Sequence, residues 1–209
     1  MAKQYAFYVD LASCIGCKTC QVACKDKNHL PEGIRWRRVM QYESGEWINQ
    51  DGVDVPSNVA VSFISTACMH CEKPICTQVC PTQAVTKRDD GIVLIDQSKC
   101  VGCRYCEWAC PYGAPVFDPA RGVMTKCTMC NDLVEQGQRP ACVDSCPQRA
   151  MDFGTLEEMR AKYGTFNDPA PLPDPSITHP SVVYGPKQTT QTAEHATGHI
   201  MNLEEITKL

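Results

Sequence analysis

Sixteen cysteines in four similarly built groups constrain this 209-residue chain more than any other feature. The groups read Cys14-x2-Cys17-x2-Cys20-x3-Cys24, Cys68-x2-Cys71-x4-Cys76-x3-Cys80, Cys100-x2-Cys103-x2-Cys106-x3-Cys110 and Cys127-x2-Cys130-x11-Cys142-x3-Cys146. Three groups end in Cys-Pro, at Cys80-Pro81, Cys110-Pro111 and Cys146-Pro147, whereas the first ends in Cys24-Lys25. Proline fixes φ and gives up an N–H, which suits a chain leaving a site sharply.

C-x2-C-x2-C-x3-C-P is the run with which bacterial ferredoxins hold cubane iron–sulfur clusters. A cubane needs a thiolate at each of four iron corners, and three cysteines at two-residue intervals let one short loop wrap three of them. The fourth lies beyond a helical turn and does not easily reach the same cube; in two-cluster ferredoxins it ligates the other cluster. The count suffices for four [4Fe–4S] clusters with no cysteine left over. Eight disulfides would instead demand an oxidising compartment and a secretory signal. Met1-Ala2-Lys3-Gln4 opens straight onto an expected strand with no apolar signal segment. Structural zinc uses cysteines two and two around one tetrahedron. Cys127/Cys130 with Cys142/Cys146 would allow that, but Cys14/Cys17/Cys20 spends three ligands in one loop.

Leu, Ile, Val and Phe supply about 19% of the residues, in the range where a highly charged chain is disordered. The net charge of −4 removes that reading. Clusters are expected to occupy much of each core, so that metal-binding energy is folding energy. The longest apolar-leaning run, 59–67, is far short of the roughly 20 residues a spanning helix needs. Mild acidity and the lack of a basic face interleaved with aromatics argue against nucleic acid. Arg35-Trp36-Arg37-Arg38, the one basic cluster, reads as a solvated or partner-facing strand edge.

Along the chain, 5–10 reads as a strand, followed by a helical turn or two through Cys20 to Lys27. Residues 28–58 look like a polar, turn-rich insertion, and 59–66 a second strand. Val85–Arg88, Asp89-Asp90-Gly91 and Ile92–Asp96 read as a hairpin with an Asp-Gly turn. Val116-Phe117 and Gly122-Val123-Met124 suggest another, and 156–163 a short helix. The expected class is α+β: two bacterial-ferredoxin-like double [4Fe–4S] modules with an extended C-terminal tail. Residues 1–58 and 120–165 would form an outer module, 59–119 an inner one, and 166–209 a Pro-punctuated tail that orders on a partner through Val182, Val183 and Tyr184.

The four-group layout resembles the electron-transfer subunits of molybdopterin oxidoreductases, above all the iron–sulfur subunit of the dimethyl sulfoxide reductase type. The likeness covers about residues 4–175, through Cys100-Val-Gly-Cys-Arg-Tyr-Cys106, Ala109-Cys-Pro-Tyr-Gly-Ala-Pro115 and Met124-Thr-Lys-Cys127. Polysulfide, tetrathionate, arsenate and selenate reductases and formate dehydrogenases use similar subunits. The resemblance implies that Cys14, Cys17 and Cys20 share a cluster with Cys146, and that Cys24 completes the one held by Cys127, Cys130 and Cys142. It further implies that Cys68, Cys71 and Cys76 join Cys110, while Cys80 joins Cys100, Cys103 and Cys106. The Cys14 cluster would face a molybdopterin catalytic subunit and the Cys100 cluster a quinol-oxidising membrane anchor. The chain would then be peripheral on the cytoplasmic membrane through its partners, on either side. In nitrate reductase relatives tryptophan stands at the position of Cys103 and that cluster is [3Fe–4S]; cysteine here implies a fourth iron.

Lys18, Arg104 and Lys126 are candidates for tuning cluster potentials, since positive charge favours the reduced cluster. His70, inside a complete cysteine set, reads as a hydrogen-bond donor behind the ligands or a surface histidine. Tyr105 and Trp108 read as packing over the third group, and His179, His195 and His199 carry no signal. No substrate-handling constellation is present, so the leading reading is a non-catalytic electron wire, and the rival from another class is a cluster scaffold or maturation protein.

Overall fold

The computed structural model describes residues 3–206. Met1-Ala2 of the opening and residues 207–209 of the tail therefore lie outside the described residues. Strand β1 (Tyr5–Asp10) leads into the first cysteine loop, which ends in helix α1 (Thr19–Lys27). A long hairpin, β2 (Arg38–Gln50) and β3 (Val53–Thr66), carries the chain to the second group and α2 (Ile75–Gln78). The hairpin β4 (Val85–Lys87) and β5 (Val93–Ile95) delivers the third group and α3 (Tyr105–Ala109). A third hairpin, β6 (Val116–Asp118) and β7 (Val123–Thr125), delivers the fourth group with α4 (Asn131–Val134) and α5 (Ala141–Asp144). Strand β8 (Met151–Thr155) and α6 (Leu156–Tyr163) follow, the helix opened by a reciprocal cap between Thr155 and Glu158.

The regular elements are short because each cysteine loop must begin and end within a few residues of its strand. Helix α1 packs on α5, and α2 on α3, so the first group meets the fourth and the second meets the third. Strand β1, before the first group, pairs antiparallel with β8, after the fourth. That ladder closes the two ends of the cysteine-bearing segment onto each other.

The stretch expected as a loose insertion is largely the β2–β3 hairpin. Its tip is Asp51-Gly52, both at positive φ (53° and 86°), as a tight hairpin turn requires. Glu43-Ser44-Gly45, inside that turn-rich stretch, lies within β2, where a bulge shifts the register between Ser44 and Glu46.

The C-terminal segment departs most from expectation. Instead of awaiting a partner, it lies across the protein's own body. Strand β9 (Val182–Gly185) pairs parallel with β1, Phe7 opposite Val182 and Val9 opposite Tyr184, and Val182, Val183 and Tyr184 are buried. Upstream, the Glu72 and Lys73 N–H groups donate to the His179 and Thr178 carbonyls at 2.7 and 3.0 Å, beside the second cysteine group. Downstream, β10 (His199–Ile200) adds to β2, and α7 (Leu203–Ile206) ends against it. The segment makes no core of its own, but β1 offers a free edge and an apolar face. Its prolines pre-set φ, so laying an already extended segment down costs less conformational entropy.

Deleting residues 176–209 is therefore expected to destroy cluster content rather than spare it. Full burial of a large apolar side chain contributes about 1.5–3 kcal/mol. Losing three of them approaches the net stability of a whole domain, about 5–15 kcal/mol. Iron per chain and thermal unfolding of the truncated protein check this; unchanged iron and melting would show the segment to be dispensable.

Candidate metal centres

The cysteine loops share a backbone device. In the first, Gly16 and Lys18 sit at positive φ (70° and 61°); in the third, Gly102 and Arg104 repeat this (67° and 66°). The two glycines are required, since a Cβ at Gly16 would stand 2.4 Å from the Phe63 ring and one at Gly102 2.3 Å from the Gly122 carbonyl oxygen. In the fourth loop Met129 and Cys130 make the turn (59° and 48°), and in the second His70 does (41°). N–H groups from the fourth loop, from β7 and from the chain after Cys110 point at sulfur. Met129 N–H donates to Cys127 Sγ and Met124 N–H to Cys100 Sγ, both at 3.3 Å, and Ala114 N–H to Cys110 Sγ at 3.5 Å.

Across the fold, the thiols gather in fours. One cavity is lined by Cys14, Cys17, Cys20 and Cys146, a second by Cys24, Cys127, Cys130 and Cys142, and a third by Cys68, Cys71, Cys76 and Cys110. The remaining four meet as well, Cys106 lying within electrostatic reach of Cys100, Cys103 and Cys80. In each set three cysteines come from one loop and the fourth from another. All sixteen are free thiols. Among the described residues no three His, Cys, Asp or Glu side chains close on a single ion; three of the sets line cavities instead. The sets also follow one another. Cys20 and Cys142 share one packed core, Cys24 and Cys127 pack with Cys68 and Cys110, and Cys76 packs with Cys80, Cys100 and Cys106.

Burial pushes the thiols of Cys24, Cys71 and Cys76 up to about 12, that of Cys106 to about 11, and that of Cys127 well above its usual range. Thiols so placed would stay protonated at neutral pH, and a coordinated metal reverses this by deprotonating them outright. Four convergent sulfurs and N–H groups aimed at sulfur, with enclosed space shown at three of the sets, fit polynuclear iron–sulfur groups.

The basic residues are not where the sequence suggests. Of Arg35-Trp36-Arg37-Arg38, read as a solvated edge, only Arg35 reaches the surface; the other three are buried. Trp36 Nε1 donates to Thr125 Oγ1 at 3.0 Å and its ring lines the Cys24 cavity. Arg38 clamps the tail, donating to the carbonyls of Ile206, Tyr112 and Gly113 at 2.9, 3.0 and 2.9 Å. Burial works against the charge of Arg37, but the sulfurs of Cys142, Cys20, Cys127 and Cys24 outweigh it, and the guanidinium pKa is raised. Arg37 is buried because the anions it serves are inside, a fact invisible in a run of arginines.

Lys126 is likewise buried, lining the Cys68 cavity and donating to the carbonyls of Val93 and Cys127. Lys18 and Arg104 are exposed and ion-paired, to Glu205 and Glu107. His70 is no surface residue: it is 0% exposed, and its Nδ1 accepts from the Val93 N–H at 3.0 Å. Burial, followed by Lys126 and Arg37, lowers its pKa, so the ring is neutral and Nε2 carries the proton. Tyr105 and Trp108 do not pack over the third group. They tilt against each other at 5.6 Å in the open, Trp108 70% exposed.

An α+β chain with four cysteine cages on ferredoxin-type loops is an iron–sulfur protein of the multi-cluster ferredoxin class. Two 4Fe-4S dicluster domain families match it, one over residues 13–84 and one over 59–156. The B chain of anaerobic dimethyl sulfoxide reductase from Escherichia coli K12 is 45% identical over 206 residues, 99% of this chain and 100% of that protein. Its Haemophilus influenzae counterpart is 44% identical over 98% of this chain and 100% of that protein. The B subunit of tetrathionate reductase from Salmonella typhimurium is 38% identical over 78% of this chain and 62% of that protein. The present protein belongs to this family of iron–sulfur B subunits. It is the electron-transfer subunit of an oxidoreductase complex, not the catalytic one, and its cofactors are four [4Fe–4S] clusters.

Anaerobically purified protein is expected to carry close to sixteen irons and sixteen acid-labile sulfides per chain, with negligible zinc, because sixteen free cysteines divide four to a cage. Twelve irons or fewer in undamaged protein would contradict the four-cage count.

Proposed function

We propose that this subunit relays electrons between a quinol-oxidising membrane anchor subunit and a molybdopterin catalytic subunit, in a dimethyl sulfoxide reductase-like complex of anaerobic respiration. The proposed ligand sets are Cys14, Cys17, Cys20, Cys146; Cys24, Cys127, Cys130, Cys142; Cys68, Cys71, Cys76, Cys110; and Cys80, Cys100, Cys103, Cys106. The first two belong to an outer module (1–58 and 120–165) and the last two to an inner one (59–119). What carries the reading is the serial packing of the sets, with bare apolar side chains at both ends. Ile15 and Val22 stand exposed beside the Cys14 set, and Val101, Tyr105 and Trp108 beside the Cys100 set. Exposed apolar clusters on a soluble surface mark contact sites, and electrons must enter and leave a wire at contacts. The Cys24 set is built wholly of buried thiols, which suits a site that exchanges electrons only with its neighbours.

The Cys14 end would face the catalytic subunit and the Cys100 end the anchor. No described helix is long and apolar enough to cross a membrane, so the subunit would be peripheral through its partners. The relatives compared at 44–45% identity over full length are dimethyl sulfoxide reductase B chains, against 38% over part of the tetrathionate reductase protein. That difference favours the dimethyl sulfoxide type. Lys126 would raise the potential of the Cys68 cluster, since a buried cation stabilises the added negative charge of reduction.

Replacing Cys103 by Ser or Trp is expected to leave three ligands and convert that cluster to [3Fe–4S], with the fold intact. Quinol-linked turnover should then stall, while turnover with an artificial donor that feeds the catalytic subunit directly persists. If both activities survive unchanged, Cys103 is off the electron path.

Trp108→Glu puts a charge on the apolar end without touching a ligand. The iron content and the copurified large subunit should be unchanged, and the membrane subunit should be lost. Retention of all three would move the anchor contact elsewhere on the surface.

A further inference from the structure

Arg37 lies between two cysteine cages and has no counter-ion of the ordinary kind. It is 2% exposed, and its guanidinium stacks over the Phe7 ring at 4.7 Å. Its Nη1 donates to Ser65 Oγ at 3.0 Å, whereas Nε and Nη2 have no protein partner. A buried cation needs a compensating anion, because desolvation costs several kcal/mol per ion. Among the described residues no carboxylate supplies one. The charges that act on Arg37 are the sulfurs of Cys142, Cys20, Cys127 and Cys24, which belong to two different cages.

The contact has a direction as well. Ser65 Oγ lies 3.3 Å from Cys20 Sγ. A cluster-bound Cys20 sulfur carries no proton and can only accept, so the Ser65 hydroxyl, its oxygen already accepting from Arg37, would be the donor. On its other side the guanidinium lines the Cys24 cavity together with Cys142. Polar contacts thus run from Cys20 through Ser65 to Arg37 at the wall of the Cys24 cavity, joining the Cys14 cage to the Cys24 cage.

We propose that Arg37 is the shared counter-cation of the two outer clusters, setting both their potentials and damping the repulsion between them when both are reduced. This rests on the ligand sets proposed above. Each cluster with four thiolates is anionic and gains one further negative charge on reduction, with no bond made or broken. A fixed positive charge between two such groups stabilises both reduced forms, and hydrogen bonding to sulfur adds to the effect. It also lets the second electron arrive without the full penalty of the first in a low-dielectric interior. Arg37 is a positioning and tuning residue that never touches substrate.

The test is an EPR-monitored redox titration of the whole complex, with iron measured in the same preparation. In Arg37→Gln, iron should stay at the wild-type level while two of the four midpoints shift to more negative potential and the other two hold. Arg37→Lys should restore most of the shift. Ser65→Ala keeps the cation but removes the proton aimed at Cys20, so the midpoint of the Cys14 cluster alone should fall. If Arg37→Gln does not load with iron, the Ser65→Ala result decides. Four unchanged midpoints in fully loaded Arg37→Gln would overturn the proposal, as would an unchanged Cys14-cluster midpoint in Ser65→Ala. Because the readout is a potential and wild-type iron is counted alongside, a failed role for Arg37 is distinct from a failed four-cluster assignment.

Discussion

Thiolate burial is the constraint on which this structure depends. Enclosed sulfur does not hold a negative charge unless something nearby takes it up, and burial pushes the thiols of Cys24, Cys71, Cys76 and Cys127 far above their ordinary range. Iron is that something, and its binding energy goes into fixing the polypeptide around it. A sequence this poor in Leu, Ile, Val and Phe can then hold a defined shape. Its core clusters mix cysteine with aliphatics, methionine and a few aromatics such as Phe7, Trp36 and Tyr184.

The same electrostatics explains which basic residues went inside. Lys18 and Arg104 follow their cysteines directly, yet they point out and pair with Glu205 and Glu107. Arg37 and Lys126 pair with no carboxylate among the described residues, and both lie against the cages. Adjacency in sequence does not decide the matter: Lys126 adjoins Cys127 and is buried, whereas Lys18 and Arg104 adjoin Cys17 and Cys103 and point out. A cation enters a low-dielectric interior only where anions already wait for it.

The C-terminal segment shows a related logic. Three cysteine hairpins cannot by themselves cover both edges of the small sheet on β1, or the mouth of the Cys68 cavity. The segment from Thr178 to Gly185 does both. Thr178 lines that cavity and bonds to Tyr112 at 3.3 Å, and β9 completes the sheet. Further on, Asn202 brackets β2, accepting from the Gln41 N–H at 2.8 Å and donating to the Val39 carbonyl at 2.9 Å. The strap therefore joins the stability of the hairpin to that of the cages.

What the sequence determined by itself was local. Cysteine spacing, the Asp-Gly hairpin, strand β1 and helix α6 were all legible, because each is decided within a few residues by sterics and capping. Spacing also said that a loop's last cysteine must leave for another cage, and resemblance to a family suggested which one. The tertiary structure alone brought Cys146 beside Cys14 and Cys24 beside Cys127, since those meetings depend on α1 packing against α5. It alone laid Val182–Gly185 on β1, a parallel pairing across most of the sequence that no local pattern announces. It alone turned a basic run into a buried charge, because burial is set by what surrounds a side chain and not by its own polarity.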